Sequence, residues 1–281
     1  MFPQFCLYSN PLTSMSSYLE MVDFAAAHGI TKLEPINMME FSVPDLAFAR
    51  KLKQYANEKG VSFPCVSAGI NLVGDNWMQV LENTKKYIEI TAVLGAPYFH
   101  HTIALEFRNP KAVQENAELY YQRGLEAVRI LYDYAQQYQI KTVYEDQGFL
   151  FNGCDGFRRF LMDVDRPVGV VADLGNIHFM DDTILPFIQE FAERIVHVHV
   201  KDYVFTPAAL QKPGEDACMT LQGNYLQDAM IGHGCVPIGE AFRSLKRIGY
   251  NGSISLECPP MGQDQEKGFL QNVEVMEQYL L

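Results

Sequence analysis

The 281-residue sequence contains no run approaching ~18 uninterrupted apolar residues. It also has no basic segment followed by an apolar stretch near its start, so nothing reads as a membrane span or secretion signal. The expectation is a cytoplasmic protein with no membrane partner. The six cysteines (Cys6, Cys65, Cys154, Cys218, Cys235 and Cys258) form no C-x-x-C pair. That removes a zinc ribbon and a disulfide framework, and those inside apolar runs read as small hydrophobes. Neither G-x-G-x-x-G nor G-x-x-x-x-G-K-[ST] occurs, so the phosphate loop of an open doubly wound sheet is missing. Basic residues are scarce: 22 Lys and Arg stand against 34 Asp and Glu, for a net charge of −12. Non-specific nucleic-acid affinity comes largely from cations that neutralise phosphates, so the charge weighs against that class of partner and none is expected. A small-molecule ligand is the reading left.

Strand-like runs are plentiful: "FPQFCLYS" (2–9), "TKLEPI" (31–36), "VSFPCVSAG" (61–69), "APYFHHTIA" (96–104), "IKTVYED" (140–146), "PVGVVADLG" (167–175), "IVHVHVKDY" (195–203) and "GSISLEC" (252–258). They are apolar on both faces, as parallel strands covered by helices are. Helical periodicity fills the gaps. In "SSYLEMVDFAAAHGI" the apolar residues recur at spacings of three and four before Gly29, and "VPDLAFARKLKQYANEKG" places Asp45 in the first turn and Gly60 past the end. "AVQENAELYYQRGLEAVRILYDYAQQYQI" predicts the longest helix and "PIGEAFRSLKRIGYNG" the last. Eight strand–helix alternations over residues 1–281 predict an α/β fold, a single-domain (β/α)8 TIM barrel. The connection from Tyr203 to Pro237, broken by Gly and Pro, is expected to be a long functional loop leaving strand seven.

Four consecutive strands end in metal-type ligands: Glu145, Asp173, His199 and Glu257. On a TIM barrel these strand ends form one rim, where active sites are built. Three carboxylates converging without a cation would repel one another, and a divalent ion removes that problem. An oxygen-rich set with one imidazole suits Mn²⁺, Mg²⁺ or Co²⁺, with Zn²⁺ also compatible. Each residue has a plainer reading as well: Glu145 as a helix N-cap, His199 and His197 as hydrogen-bonded strand residues. The two histidines share parity and so face one side, with His197 one layer deeper.

The segments "VYEDQG", "VVADLGN", "HVHVKD", "IGHGCVPI", "LKRIGYNGSISLE" and "LGAPYFHH" resemble the xylose-isomerase-like barrels, the sugar phosphate isomerase and epimerase family. The resemblance covers essentially the whole chain. It implies one divalent metal ion, commonly Mn²⁺, held by Glu145, Asp173, His199 and Glu257. It also makes Glu145 and Glu257 the acid–base pair that exchanges a proton next to a carbonyl through a cis-enediolate. The implied function is a metal-dependent epimerase or isomerase of a sugar or sugar phosphate. Two rivals are a dehydratase of a keto-inositol or dehydroshikimate-like substrate and a sugar-binding barrel without catalysis; the charge weighs against an endonuclease. The expected partner is a small carbohydrate, and the family implies a homodimer.

Five further residues are expected at the substrate: Lys201, Asn176, His101, His233 and Glu34. Lys201 shares the parity of His199, or else pairs with a rim acid such as Asp202. Asn176 stands where many family members have a histidine after the strand-six aspartate. His100 and His101 end strand four, and one of them should point into the barrel mouth. His233 lies in the Gly-x-Gly turn of "GHGCVPI", facing substrate or solvent, and Glu34 ends strand two, at a substrate hydroxyl or in a structural ion pair. Phe151 and Phe205 replace a glutamate and an arginine that bind substrate in the free-ketose 3-epimerases, so the substrate is held differently here.

Overall fold

Strands with no polar face need cover on both sides, and here that cover is a closed ring inside an outer layer of helices. The computed structural model describes residues 5–9, 12, 14–104, 113, 115–259 and 264–280. In chain order the strands are β1 (Phe5–Tyr8), β2 (Leu33–Glu34), β3 (Cys65–Ala68), β4 (Tyr98–His101), β5 (Lys141–Glu145), β6 (Gly169–Asp173), β7 (Ile195–Val200), β8 (Asp202–Thr206), β9 (Cys218–Met219), β10 (Tyr225–Ala229) and β11 (Ser253–Leu256). The helices are α1 (Tyr18–Ala27), α2 (Leu46–Lys59), α3 (Trp77–Leu94), α4 (Ala117–Ala135), α5 (Cys154–Asp163), α6 (Ile184–Glu190), α7 (Ile238–Arg247) and α8 (Gln265–Leu280). Eight parallel strands run in the order β2-β1-β11-β7-β6-β5-β4-β3. The two ends of that order meet through the bridge Lys32–Ser62, with Leu33 N donating to Ser62 O at 3.0 Å. The sheet is therefore a TIM barrel, and an open doubly wound sheet is excluded.

Local chemistry sets the helix ends. The Asp45 carboxylate accepts from Ala47 N and Phe48 N at the start of α2, and Gly60, with φ of 74°, closes it. Both positions suit their residues, since an N-cap needs a short acceptor and a left-handed C-cap needs no Cβ. The sequence run over 112–140 is shorter as a helix: α4 ends at Ala135, a 3-10 turn follows, and residues 112 and 114 lie outside the described residues. The same holds for residues 2–4 of the first strand run. Phe157, Phe160, Phe187 and Phe191 pack in tilted and edge-on ring pairs where α5 and α6 cover the sheet. Each such buried ring contributes about 1.5–3 kcal/mol. No helix among the described residues is long and apolar enough to cross a membrane.

Register then fixes which residues enter the barrel. Ser67 pairs with His100, His100 with Val143, Val171 with His197, Asp173 with His199, and His199 with Ser255. Residues in register on neighbouring parallel strands face the same side. The lower interior layer is mostly apolar, with Cys65, Val143 and Val171 packed together and His197 as its polar member. Two residues further along each strand the same face carries Ser67, Glu145, Asp173 and His199, all buried. A mostly apolar plug thus underlies a polar layer at the C-terminal rim.

The long connection after strand seven differs from expectation. β7 stops at Val200, and 202–229 folds into an antiparallel sheet of order β8-β10-β9. Asp181 pins it from outside, accepting from Thr220 Oγ1, Asn224 Nδ2 and Gln222 N at 2.8 Å each. Asp202 pins the return. Its buried carboxylate accepts from the N–H groups of Tyr203, Gly232, Gly234 and Val236 at 2.8–3.1 Å. A Cβ on Gly234 would stand 2.1 Å from Asp202 Oδ1, which explains the Gly-x-Gly turn. Replacing Asp202 by Ala should lower the unfolding free energy by about 3 kcal/mol, less than four charged hydrogen bonds because exposed Gly232 and Gly234 regain water. Urea unfolding measures this, and a loss under about 0.5 kcal/mol, the size of an ordinary surface substitution, would refute the anchoring role.

Candidate metal and acid-base site

The polar layer is organised around two buried residues, Glu34 and His199. Glu34, the last residue of β2, has no exposed surface. Its Oε1 accepts from Ser67 Oγ at 2.6 Å and His199 Nε2 at 3.2 Å, and its Oε2 from His197 Nε2 at 2.7 Å and from Ser255 Oγ. Both oxygens are committed. His199 is the link outward: Nε2 meets Glu34, while Nδ1 lies 3.0 Å from Glu145 Oε2 and 3.2 Å from Glu257 Oε2. Burial resists charging this imidazole, yet Glu34, Glu145 and Glu257 hold its pKa well above the ordinary value.

One ligand atom from each of Glu145, Asp173, His199 and Glu257 lies within 4.8 Å of the others. Backbone geometry aims each of them. Asp173 ends β6, and its Oδ1 accepts from Gly175 N at 2.9 Å and Asn176 N at 2.8 Å, leaving Oδ2 for the cluster. Gln147 Nε2 donates to Glu145 Oε1, leaving Oε2. Glu257 follows β11 and is the most exposed of the four, its side chain 18% accessible at the mouth. Burial, reinforced by Glu145 and Glu257, raises the Asp173 pKa to about 6 although Lys201 opposes it. Its neighbour Asp146 is also held well above the ordinary carboxylate range, by burial and by the charges of Asp173 and Glu145. So much confined negative charge calls for a cation.

Donor chemistry supports a metal. Asp173 Oδ2 and Glu257 Oε2 are buried with no hydrogen-bond partner. Lys201 Nζ lies 2.9 and 3.2 Å from them, out of hydrogen-bond alignment. Three carboxylates and one imidazole, with Asp173 Oδ2 and Glu257 Oε2 free of hydrogen bonds, fit a hard or borderline divalent ion that displaces the proton on His199 Nδ1. His100 adds a fifth inward group. Its Nδ1 lies 2.9 Å from Ser67 Oγ, and Ser67 spends its only hydrogen on Glu34, so Nδ1 is the donor. His100 Nε2 then presents a lone pair 3.7 Å from Glu145 Oε2, with no hydrogen bond of its own.

The remaining sequence candidates are placed as follows. His101 faces the opposite side of β4, where Nε2 accepts from Tyr144 OH at 2.9 Å and Nδ1 donates to Thr102 O at 3.0 Å. Burial drops its pKa to about 3. His100 is the member of the pair that joins the cluster. Lys201 and Asn176 do adjoin it, with Lys201 Nζ 3.3 Å from Asn176 Oδ1 and Asn176 Nδ2 left without a partner. His233 is exposed on the 230–236 turn, and among the described residues no contact joins it to the cluster. Glu34 takes part as an anchor of histidines. Ser67, Ser255, Asp146 and Tyr8 were not anticipated; Asp146 Oδ1 accepts from Asp173 N at 3.0 Å, and the Tyr8 ring lies 5.2 Å from that of His199. For Ser67, Ser255 and Tyr8 the signal is a polar residue at inward parity in an apolar strand, faint for a serine, whereas Asp146 follows inward Glu145 at the opposite parity and carries no such signal.

The profile of a family described as xylose isomerase-like TIM barrel matches residues 22–279. No curated protein sequence matches the chain. Among solved structures, 3-keto-D-glucoside 4-epimerase from E. coli aligns with a TM-score of 0.75 at 13% identity, covering 98% of this chain and 99% of its own. D-psicose 3-epimerase from Clostridium cellulolyticum H10 aligns at 0.73 with 16% identity over 99% of both chains. The probable 3-DHS dehydratase of petrobactin synthesis from Bacillus anthracis aligns at 0.75 with 15% identity over 98% of both. At these identities the likeness is one of fold.

Glu34 offers a direct test of the layered design. The Glu34→Gln variant keeps the shape but turns an NH₂ against at least one of four donors. We expect its unfolding free energy to drop by about 3 kcal/mol and its Mn²⁺ affinity to fall about 10–100-fold, as it does when a partner that orients a metal-binding histidine is lost. Urea unfolding and calorimetric titration read the two effects, and an unchanged affinity would show that Glu34 does not orient His199.

Proposed function

Because the chain belongs to the xylose isomerase-like TIM barrel family, we propose that it is a divalent-metal-dependent sugar epimerase or isomerase that moves a proton next to a carbonyl. The observation that carries this reading is the pairing of Glu145 and Glu257 around His199, each with one oxygen turned into the same cluster. A divalent ion held by Glu145, Asp173, His199 and Glu257 would supply Lewis acidity towards the carbonyl and hydroxyl oxygens of the substrate. The chain's own groups supply the proton chemistry. One glutamate removes the proton from the carbon beside the carbonyl, the electron pair moves towards the carbonyl oxygen, and the other glutamate returns a proton to the opposite face. Asn176 Nδ2, buried and unpartnered, is free to donate to a substrate oxygen, and Lys201 adds positive charge beside Glu257.

The preferred substrate is a ketose or ketoglycoside gripped differently from free psicose or tagatose. Phe151 is buried against Tyr121 and Phe160, and Phe205 lies on β8, so neither position offers sugar a polar group. A dehydratase is the second reading, favoured by the Lys201 ammonium beside Glu257. The first step is the same, and that ammonium would protonate the departing hydroxide. Manganese is the preferred ion, on the oxygen-rich donor set.

The test is proton exchange in heavy water with Mn²⁺ present, screening 2-ketohexoses, 3-keto-D-glucosides and 3-dehydroshikimate by NMR and mass spectrometry. Deuterium should enter at the carbon next to the carbonyl of one substrate. Glu145→Gln and Glu257→Gln should each reduce that exchange by about 10³-fold, and the product separates epimer from dehydrated acid. Exchange that survives both substitutions would end the acid–base assignment.

A further inference from the structure

Two of the oxygens offered to a metal are also held by an ammonium. Lys201 Nζ stands 2.9 Å from Asp173 Oδ2 and 3.2 Å from Glu257 Oε2. Both oxygens lack a hydrogen bond, so the contact is one of charge without direction. The lysine stem nevertheless has a built seat. A Cβ on Gly175 would stand 2.5 Å from Lys201 Cγ and 2.8 Å from Tyr203 Cε2. The backbone of Gly175 has φ of −103°, open to any residue, so glycine is required there for room and not for conformation. The sequence gives up a side chain beside Asp173 to bring the ammonium down onto it.

A divalent ion bound to the same carboxylates would sit about 2.0–2.2 Å from their oxygens. Two cations on one pair of buried oxygens repel strongly where water is scarce. The ammonium has partners besides these two oxygens. Asn176 Oδ1 is 3.3 Å away, and Asp228 on β10 already feels its charge.

Resting on the metal reading above, we propose that Lys201 is the resident counter-cation of this site: it neutralises Asp173 and Glu257 while the divalent ion is absent and is displaced towards Asn176 and Asp228 when the ion binds. Metal loading is then a cation exchange inside the barrel. The metal-free protein avoids a bare cluster of carboxylates, its affinity for the ion is held down by the competing ammonium, and the displaced ammonium ends beside the β8–β10 sheet, where a substrate oxygen can meet it.

The experiment titrates Mn²⁺ into metal-stripped wild type and Lys201→Met by calorimetry and follows thermal unfolding with and without the ion. The metal-free variant should melt below the wild type, because its carboxylates lose their only nearby ammonium among the described residues. It should bind Mn²⁺ about tenfold more tightly, or better, and gain more in Tm from saturating ion. Should wild type bind Mn²⁺ and Lys201→Met bind no more tightly, the exchange is wrong while the metal site stands. Should neither bind, the metal reading falls and the exchange with it. If Lys201→Met does not fold without metal, Gly175→Ala takes its place: it keeps the ammonium, denies the stem its seat, and should shift affinity in the same direction, an unchanged affinity again refuting the exchange.

Discussion

A carboxylate with no exposed surface holds the polar centre of this barrel together. Glu34 takes donors from β3, β7 and β11 through Ser67, His197, His199 and Ser255. Unpaired, it would cost several kcal/mol to bury; paired four times, it becomes the fixed point from which His199 is aimed. It also sits next to the seam, since β2 and β3 are the ends of the strand order that the Lys32–Ser62 bridge joins. Closing the ring and orienting His199 therefore involve the same residue. A site whose geometry must hold to a fraction of an ångström gains from being tied to the fold's own closure.

Above that anchor the electrostatics turn unfavourable. Glu145, Asp173 and Glu257 converge where water is scarce, with Asp146 behind them. His199 and Lys201 offset part of the charge, and burial, with Glu145 and Glu257 adding to it, still raises the Asp173 pKa to about 6. Stability alone would favour replacing such a cluster with apolar residues, as the layer beneath does with Cys65, Val143 and Val171. Its presence is what makes this layer the candidate functional site. The same imbalance accounts for an ammonium seated against two of the carboxylates.

How much of this was legible beforehand depended on whether a residue interrupted an apolar run. Glu145, Asp173 and Glu257 stop long apolar strands, and their convergence follows once eight strands close into a ring. His100 and His101 could not be separated without register, because a one-residue choice at the end of β4 needs the pairing of His100 with Val143. The Glu34 network was illegible for a different reason: a serine in a buried strand is common, and only the register shows Ser67 and Ser255 meeting one carboxylate. The 203–237 connection looked like a loop because Gly and Pro break its alternation. Its order comes from distant carboxylates, Asp181 and Asp202, which local pattern does not reveal.

The segment "HVHVKD" shows how one strand divides its labour. His197 and His199 point inward at successive layers, the first to Glu34 and Ser255 and the second to Glu34, Glu145 and Glu257 at once. Val198 and Val200 between them face the helices and are fully buried. Lys201 continues the inward alternation and brings the ammonium, and Asp202 turns away to clamp the 230–236 backbone. A slip of one residue would send both histidines into the helix layer and valines into the polar one. Apolar burial outside the barrel thus enforces the register on which the chemistry inside depends, and the strand can carry four polar residues because the two valines between them leave it no alternative.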